Sequence, residues 1–163
     1  MTLTLRLLTD ADLDALQAVY DACPADFVRL IGRPAPPDQA GRDFVQALGA
    51  AGRFQFGVFV AAGLVGMLDC KLDNETPGLA HAGLLLLAPP YDAPEIRGLA
   101  LRMAERWLAG AYGVTRVETG VPAHDALELA FWQAQGYAFT GGRAESAKSS
   151  KTRGKVDPRP LFC

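Results

Sequence analysis

Leu79-Ala80-His81-Ala82-Gly83-Leu84-Leu85-Leu86-Leu87-Ala88 is stopped by Pro89-Pro90. Four residues later it gives way to a stretch in which Leu99, Met103, Trp107 and Ala111 recur at every fourth position. This junction decides the fold. The leucine run does not alternate with polar residues, which predicts a central strand covered on both faces. The fourfold recurrence predicts an amphipathic helix over 95–111, ended by Gly110 and Gly113. A buried strand that feeds a helix makes an α/β chain, and the rest of the sequence can be built outward from that unit.

Upstream, residues 54–60 and 64–71 flank Ala61-Ala62-Gly63 and predict a hairpin, with a second turn at Asp73-Asn74-Glu75-Thr76-Pro77-Gly78. The chain opens with a strand over 4–8. Thr9 then caps a helix over 10–22, with Asp10, Asp12 and Asp14 near its positive end and Leu13, Leu16, Val19 and Tyr20 on one face. Pro24, Pro34, Pro36 and Pro37 break the chain around a short apolar helical turn of Phe27, Val28, Leu30 and Ile31. Asp38 caps a second helix through Leu48, closed by Gly49 and Gly52. Downstream come a strand over 115–121, a helix over 125–135 ended by Gly136, and a strand from Tyr137. The order is βααβββαβαβ, a mixed central sheet with flanking helices. Pro158 and Pro160 predict that a further strand closes the chain at an edge.

The 163 residues, half hydrophobic and 21% charged, fit one domain over 1–163 and exclude a fully disordered or collagen-like chain. A net charge of -2 gives no global field for nucleic acid or a membrane surface, so neither is expected as a partner. Arg143 to Arg159 nevertheless holds six basic and two acidic residues, against ten and sixteen elsewhere. Within it, Lys148-Ser149-Ser150-Lys151-Thr152-Arg153-Gly154-Lys155 reads as a solvated loop between the last two strands. Cys23, Cys70 and Cys163 are odd in number and widely spaced, which fits a reducing compartment and hence the cytoplasm; no metal site is expected. The longest apolar stretch, over 82–90, is far short of a membrane span.

Three segments resemble the GNAT superfamily of N-acetyltransferases. Gly83-Leu84-Leu85-Leu86-Leu87-Ala88-Pro89, entering the helix with Arg97-Gly98-Leu99-Ala100, looks like the strand, loop and helix that hold the acyl-CoA pyrophosphate. Ala126-Leu127-Glu128-Leu129-Ala130-Phe131-Trp132-Gln133-Ala134-Gln135-Gly136-Tyr137 is similar to the family's "A…FYxxxGF" helix, and is the most specific match. Val156-Asp157-Pro158-Arg159-Pro160-Leu161 resembles the last strand of many members, and Leu5 to Leu13 resembles their "lRxaxxxDl" start. The resemblance implies a sheet splayed between its two central strands, with acetyl-CoA as co-substrate in the gap. The pantetheine arm would lie on Leu85, Leu86 and Leu87, and the pyrophosphate near Arg97, Gly98 and Ala100. A primary amine, on a small molecule or a peptide, would enter from the opposite side. Homodimers are common in the family, and the resemblance allows one here.

The sequence departs from that pattern in two places. One register aligns the pyrophosphate motif Arg/Gln-x-x-Gly-x-Gly/Ala with Glu95-Ile96-Arg97-Gly98-Leu99-Ala100, which puts a carboxylate where a cation or amide is usual. A gapless register instead lays Asp92-Ala93-Pro94-Glu95-Ile96-Arg97 on the loop, with no glycine and two carboxylates. Arg97 is then either the pyrophosphate's cation or a solvated arginine in a first helical turn. The second departure is Trp132, which stands where the family often has a tyrosine that protonates the leaving thiolate. An indole N–H does not ionise usefully, so Trp132 packs beside Phe131 or walls the cofactor. Asp69 and His81, on neighbouring strands, are the candidates for a general base, with Glu118 behind them. The competing reading is a chain that keeps the fold, has lost acyl-CoA, and serves as a ligand-binding or interaction module. The segment 92–100 separates the two.

Overall fold

The computed structural model describes residues 1–140 and the backbone of the strand at 146–152. The first strand, β1 (Leu3–Leu7), leads through a 3-10 turn at Asp10–Asp12 into α1 (Leu13–Asp21), α2 (Pro24–Ile31) and α3 (Gln39–Leu48). Then come β2 (Arg53–Val60), β3 (Gly63–Leu72), β4 (Leu79–Leu87), α4 (Pro94–Tyr112), β5 (Arg116–Pro122), α5 (Ala126–Ala134), β6 (Ala138–Thr140) and β7 (Ser146–Thr152). The sheet order is β1-β2-β3-β4-β5-β7-β6, and β4 and β5 form its parallel pair. The leucine run is therefore the central strand, as its composition requires.

Two apolar layers sandwich the sheet. On one face Leu68, Leu85 and Leu87 pack against Leu101, Ala104 and Leu108 of α4 and Phe131 and Trp132 of α5. On the other, Met67 and Leu86 pack against Leu16, Val19 and Tyr20 of α1 and Phe27 of α2. Phe54 and Phe56 of β2 meet Trp107 edge-on, each at 5.1 Å, and so pin the far end of α4. Gly66 of β3 allows β4 to approach, because a side chain there would collide with the Leu86 carbonyl and with Leu87. No helix among the described residues is long and apolar enough to cross a membrane.

Two segments differ from the sequence reading. The turn around Phe27 is a full helix, α2, because Pro24 sits at its first position, where the missing N–H costs nothing and the fixed φ suits a helix. The basic stretch at 148–155 is not a loop throughout: residues 146–152 form β7, inserted between β5 and β6. Lysines and serines tolerate a strand when both neighbours supply the ladder. The closing strand expected at 156–161, with Pro158 and Pro160, lies outside the described residues, as does Cys163.

Candidate functional site

β4 and β5 pair only from Leu79–Arg116 to Ala82–Thr119, although β4 runs on to Leu87 and β5 to Pro122. At the same level β4 is irregular: Leu85 pairs with Leu68 and Ala82 with Cys70, so Gly83 and Leu84 together face the single residue Asp69. An extra residue of this kind bends a strand and removes groups from the ladder. The two strands part, and between them lies a cleft of about 400 Å³. Ala82, Gly83, Leu84 and Leu85 form one wall and Thr119, Gly120, Val121 and Pro122 the other. Arg97, Glu128 and Trp132 lie on the helical side, and Arg29 and Leu30 of α2 on the opposite side.

Each charged side chain of the cleft has a carboxylate or cationic partner. The Arg97 guanidinium lies over the Phe131 ring at 4.1 Å, and its Nη2 donates to Glu128 Oε1 at 2.7 Å. The other Glu128 oxygen accepts from Trp132 Nε1 at 3.2 Å. Arg97 Nε is buried without a hydrogen-bond acceptor; its closest ion-pair partner is Asp92 Oδ1 at 3.8 Å. Across the cleft Arg29 Nη1 reaches Asp125 Oδ2 at 2.6 Å, tying α2 to the start of α5. Burial works to raise Asp125, but the Glu128 N–H and the Arg29 guanidinium outweigh it and hold this carboxyl below its ordinary range. Nearby Asp26, on α2, is pushed up by burial against the opposing pull of Arg29.

Of the residues singled out in the sequence, Leu85, Arg97 and Trp132 meet at this cleft. Leu86 and Leu87 point into the two cores, and Leu87 O lies 3.5 Å from the Cys23 thiol. Ala100 is wholly buried in α4. Gly98 is a packing glycine: a Cβ there would stand 2.6 Å from Gln135 Oε1. Asp69 takes Arg53 Nε at 3.0 Å on both oxygens and Nη2 at 2.5 Å, so its carboxylate is clamped beneath α1 and α3. Its backbone nonetheless lies beside Gly83 of the cleft. His81 is at the closed end of β4, bonded through Nε2 to Asp73 Oδ2 at 2.8 Å, and Glu118 pairs with Arg116 at 3.3 Å. Neither lines the cleft.

Sequence reasoning gave no role to Glu128 or Arg29. Glu128 had a signal, since it is the sole charge in the nine-residue helix ALELAFWQA and lies one turn before Trp132. Arg29 had none, because Asp125, its partner at the start of α5, is 96 residues away.

An acyl-CoA arm and a diphosphate make different demands on this site. The parted strands offer a narrow apolar slot with backbone groups along its walls, which suits an amide-bearing arm. The loop before α4 suits a diphosphate less well. Pro89, Pro90 and Pro94 have no N–H, and the Tyr91 and Ala93 amides are bonded to the Ala88 and Tyr91 carbonyls at 2.8 Å each. Of the amides left at the mouth of the helix, those of Asp92 and Glu95 belong to acidic residues. Arg97 is the cation at hand.

No family model matches the sequence, and no curated protein matches it. Solved structures do. An acetyltransferase from Thermus thermophilus is 27% identical with a TM-score of 0.78, over 93% of this chain and 97% of that one. The PaiA N-acetyltransferase from Thermoplasma acidophilum, in complex with coenzyme A, is 17% identical with a TM-score of 0.73, over 93% and 99%. Spermidine N-acetyltransferase from Vibrio cholerae, in complex with CoA and spermine, is 14% identical with a TM-score of 0.72, over 94% and 96%. The chain shares the fold of these GNAT-type N-acetyltransferases.

Proposed function

We propose that this chain is an acyl-CoA-dependent N-acetyltransferase that moves an acetyl group from acetyl-CoA to a primary amine by direct attack, with no covalent enzyme intermediate. The observation that carries the reading is the parting of β4 and β5 beyond Ala82 and Thr119. A parallel pair that stops in the middle of two longer strands exposes ladder groups, and a bound arm can satisfy them. Acetyl-CoA supplies the activated thioester. The C–N bond forms as the C–S bond breaks, and the amine's proton passes through water to the departing thiolate.

The chain's own residues wall and orient. Leu85 and Trp132 border the slot, and the Trp132 indole N–H is held by Glu128, so Trp132 acts as a wall rather than an acid. Asp69 is the base candidate nearest the slot through its contact with Gly83, and it accepts a proton only if Arg53 yields one of its oxygens. The acceptor reaches the cleft from the α2 side, past Arg29 and Leu30. A small-molecule amine is the favoured class, in keeping with the polyamine acetyltransferase among the similar structures.

Incubating the protein with acetyl-CoA and a panel of polyamines, amino acids, aminoglycosides and peptide N-termini tests this. Amine-dependent thiol release, with a matching acetylated product by mass, is expected. Complete absence of release across the panel, together with no thermal shift at millimolar acetyl-CoA, would overturn it. The second reading, a GNAT fold that has lost its acyl-CoA site, is favoured by Pro94, Asp92 and Glu95 at the mouth of α4, and it predicts that second result.

A further inference from the structure

Resting on the acyl-CoA reading above, we propose that Arg97 and Glu128 form an exchangeable latch across the cleft. An acyl-CoA binds by drawing the Arg97 guanidinium off Glu128 and onto its diphosphate, so that Glu128 sets the affinity for the nucleotide half of the ligand. Three features of the pair support an exchangeable contact. It is incomplete: one hydrogen bond joins Nη2 to Oε1, while the buried Nε has no acceptor and its closest carboxylate is 3.8 Å away. A planar guanidinium with free donors accepts a second anion readily, and a diphosphate offers oxygens at the matching spacing.

The pair also stands in the slot rather than behind it. Arg97 and Glu128 both line the cleft, and their side chains are 14% and 20% exposed, the residue of access that an incoming ligand needs. Finally, each partner is held from the rear. Phe131 lies under the guanidinium, and Trp132 Nε1 keeps the second oxygen of Glu128 in place, so the contact re-forms when the ligand leaves. The loop before α4 and the helix's first turn, with three prolines and two acidic residues over 89–95, give a diphosphate little else to bind. Arg97 therefore does the recognition that backbone amides would otherwise do, and Glu128 competes for it.

The test is calorimetric titration of wild type, Glu128→Gln and the double variant Glu128→Gln/Arg97→Met with two ligands. These are acetyl-CoA and S-acetylpantetheine, which lacks the diphosphate and nucleotide. Gln keeps the shape of Glu128 and an acceptor for Trp132 while removing the charge. The latch predicts that Glu128→Gln binds acetyl-CoA about tenfold or more tighter, gains little for S-acetylpantetheine, and loses the gain when Arg97 is also replaced. Wild type binding acetyl-CoA with Glu128→Gln no tighter, or gaining equally for both ligands, would overturn the latch and leave the acyl-CoA reading standing. If neither protein binds either ligand while both melt cooperatively, the acyl-CoA reading falls and takes the latch with it. Should Glu128→Gln fail to fold, Glu128→Ala serves the same comparison.

Discussion

Two arginine–carboxylate pairs, one on the sheet and one between the helices that cover it, are built to opposite specifications. Arg53 and Asp69 join β2 to β3 beneath α1 and α3 with both carboxylate oxygens and two guanidinium nitrogens engaged. Arg97 and Glu128 join α4 to α5 through one bond, with a donor left over. Both pairs are mostly buried. The difference shows how a structural ion pair and a ligand-ready one can be told apart: by the donors left unsatisfied and by whether the pair borders open space.

Breaking the clamp has the largest expected effect. Asp69→Asn leaves the Arg53 charge buried with a weaker partner and is expected to cost about 3 kcal/mol in urea-induced unfolding. Acetyl-CoA affinity, measured well below the melt, stays within about twofold of wild type on this account, since a twofold change is only ~0.4 kcal/mol. The matching change in the cleft, Glu128→Gln, is expected to cost about 1 kcal/mol or less, because Arg97 keeps the Phe131 face, Asp92 and access to water. Equal losses for the two variants would erase the distinction.

A third pair extends the structural class. Asp12 receives two 2.8 Å bonds from Arg6 and caps the turn through the Thr9 N–H, also at 2.8 Å. The Arg6 hydrogen bonds hold its carboxyl well below the usual carboxylate range. A depressed carboxyl stabilises the fold above its unfolded pKa of about 4, and that contribution disappears as the pH falls through the folded value. Asp12→Asn is therefore expected to lose about 1 kcal/mol at pH 7 and to flatten the decline in melting temperature below pH 4. An unchanged acid slope would contradict the assignment.

The smallest effect concerns α2. Cys23, at the start of that helix, is buried beside the end of β4, and burial pushes its thiol up to about 11. If ligands enter by rotating Arg97, α2 stays seated, and acetyl-CoA leaves the alkylation rate of Cys23, read by peptide mapping at pH 8, unchanged. A large acceleration would mean that the Arg29–Asp125 tie opens instead.

Much of this fold was legible because it rests on local pattern. The leucine run, the hairpin glycine at Gly63 and the fourfold recurrence over Leu99 and Met103 each dictate an element without help from the rest of the chain. The full length of α2 is not legible from Pro24, because a proline that breaks a helix interior also begins a helix when it stands at the first position. β7 was hidden because its lysines and serines carry no strand pattern, and its place comes from β5 and β6 on either side. Leu85 on the strand and Arg97 and Trp132 on helices border one cleft, and each is fixed there by its own element. The clamp on Asp69 was not legible, because its meeting with Arg53 is set by a cross-strand register that sequence does not print. Arg29 meets Asp125 only after the whole chain has folded.

The most direct measurement is a crystal structure of the wild-type protein with acetyl-CoA. The account predicts the pantetheine arm between β4 and β5, with the Arg97 guanidinium on the diphosphate and no longer on Glu128. An intact Arg97–Glu128 bond, with the ligand bound elsewhere or not at all, would contradict it.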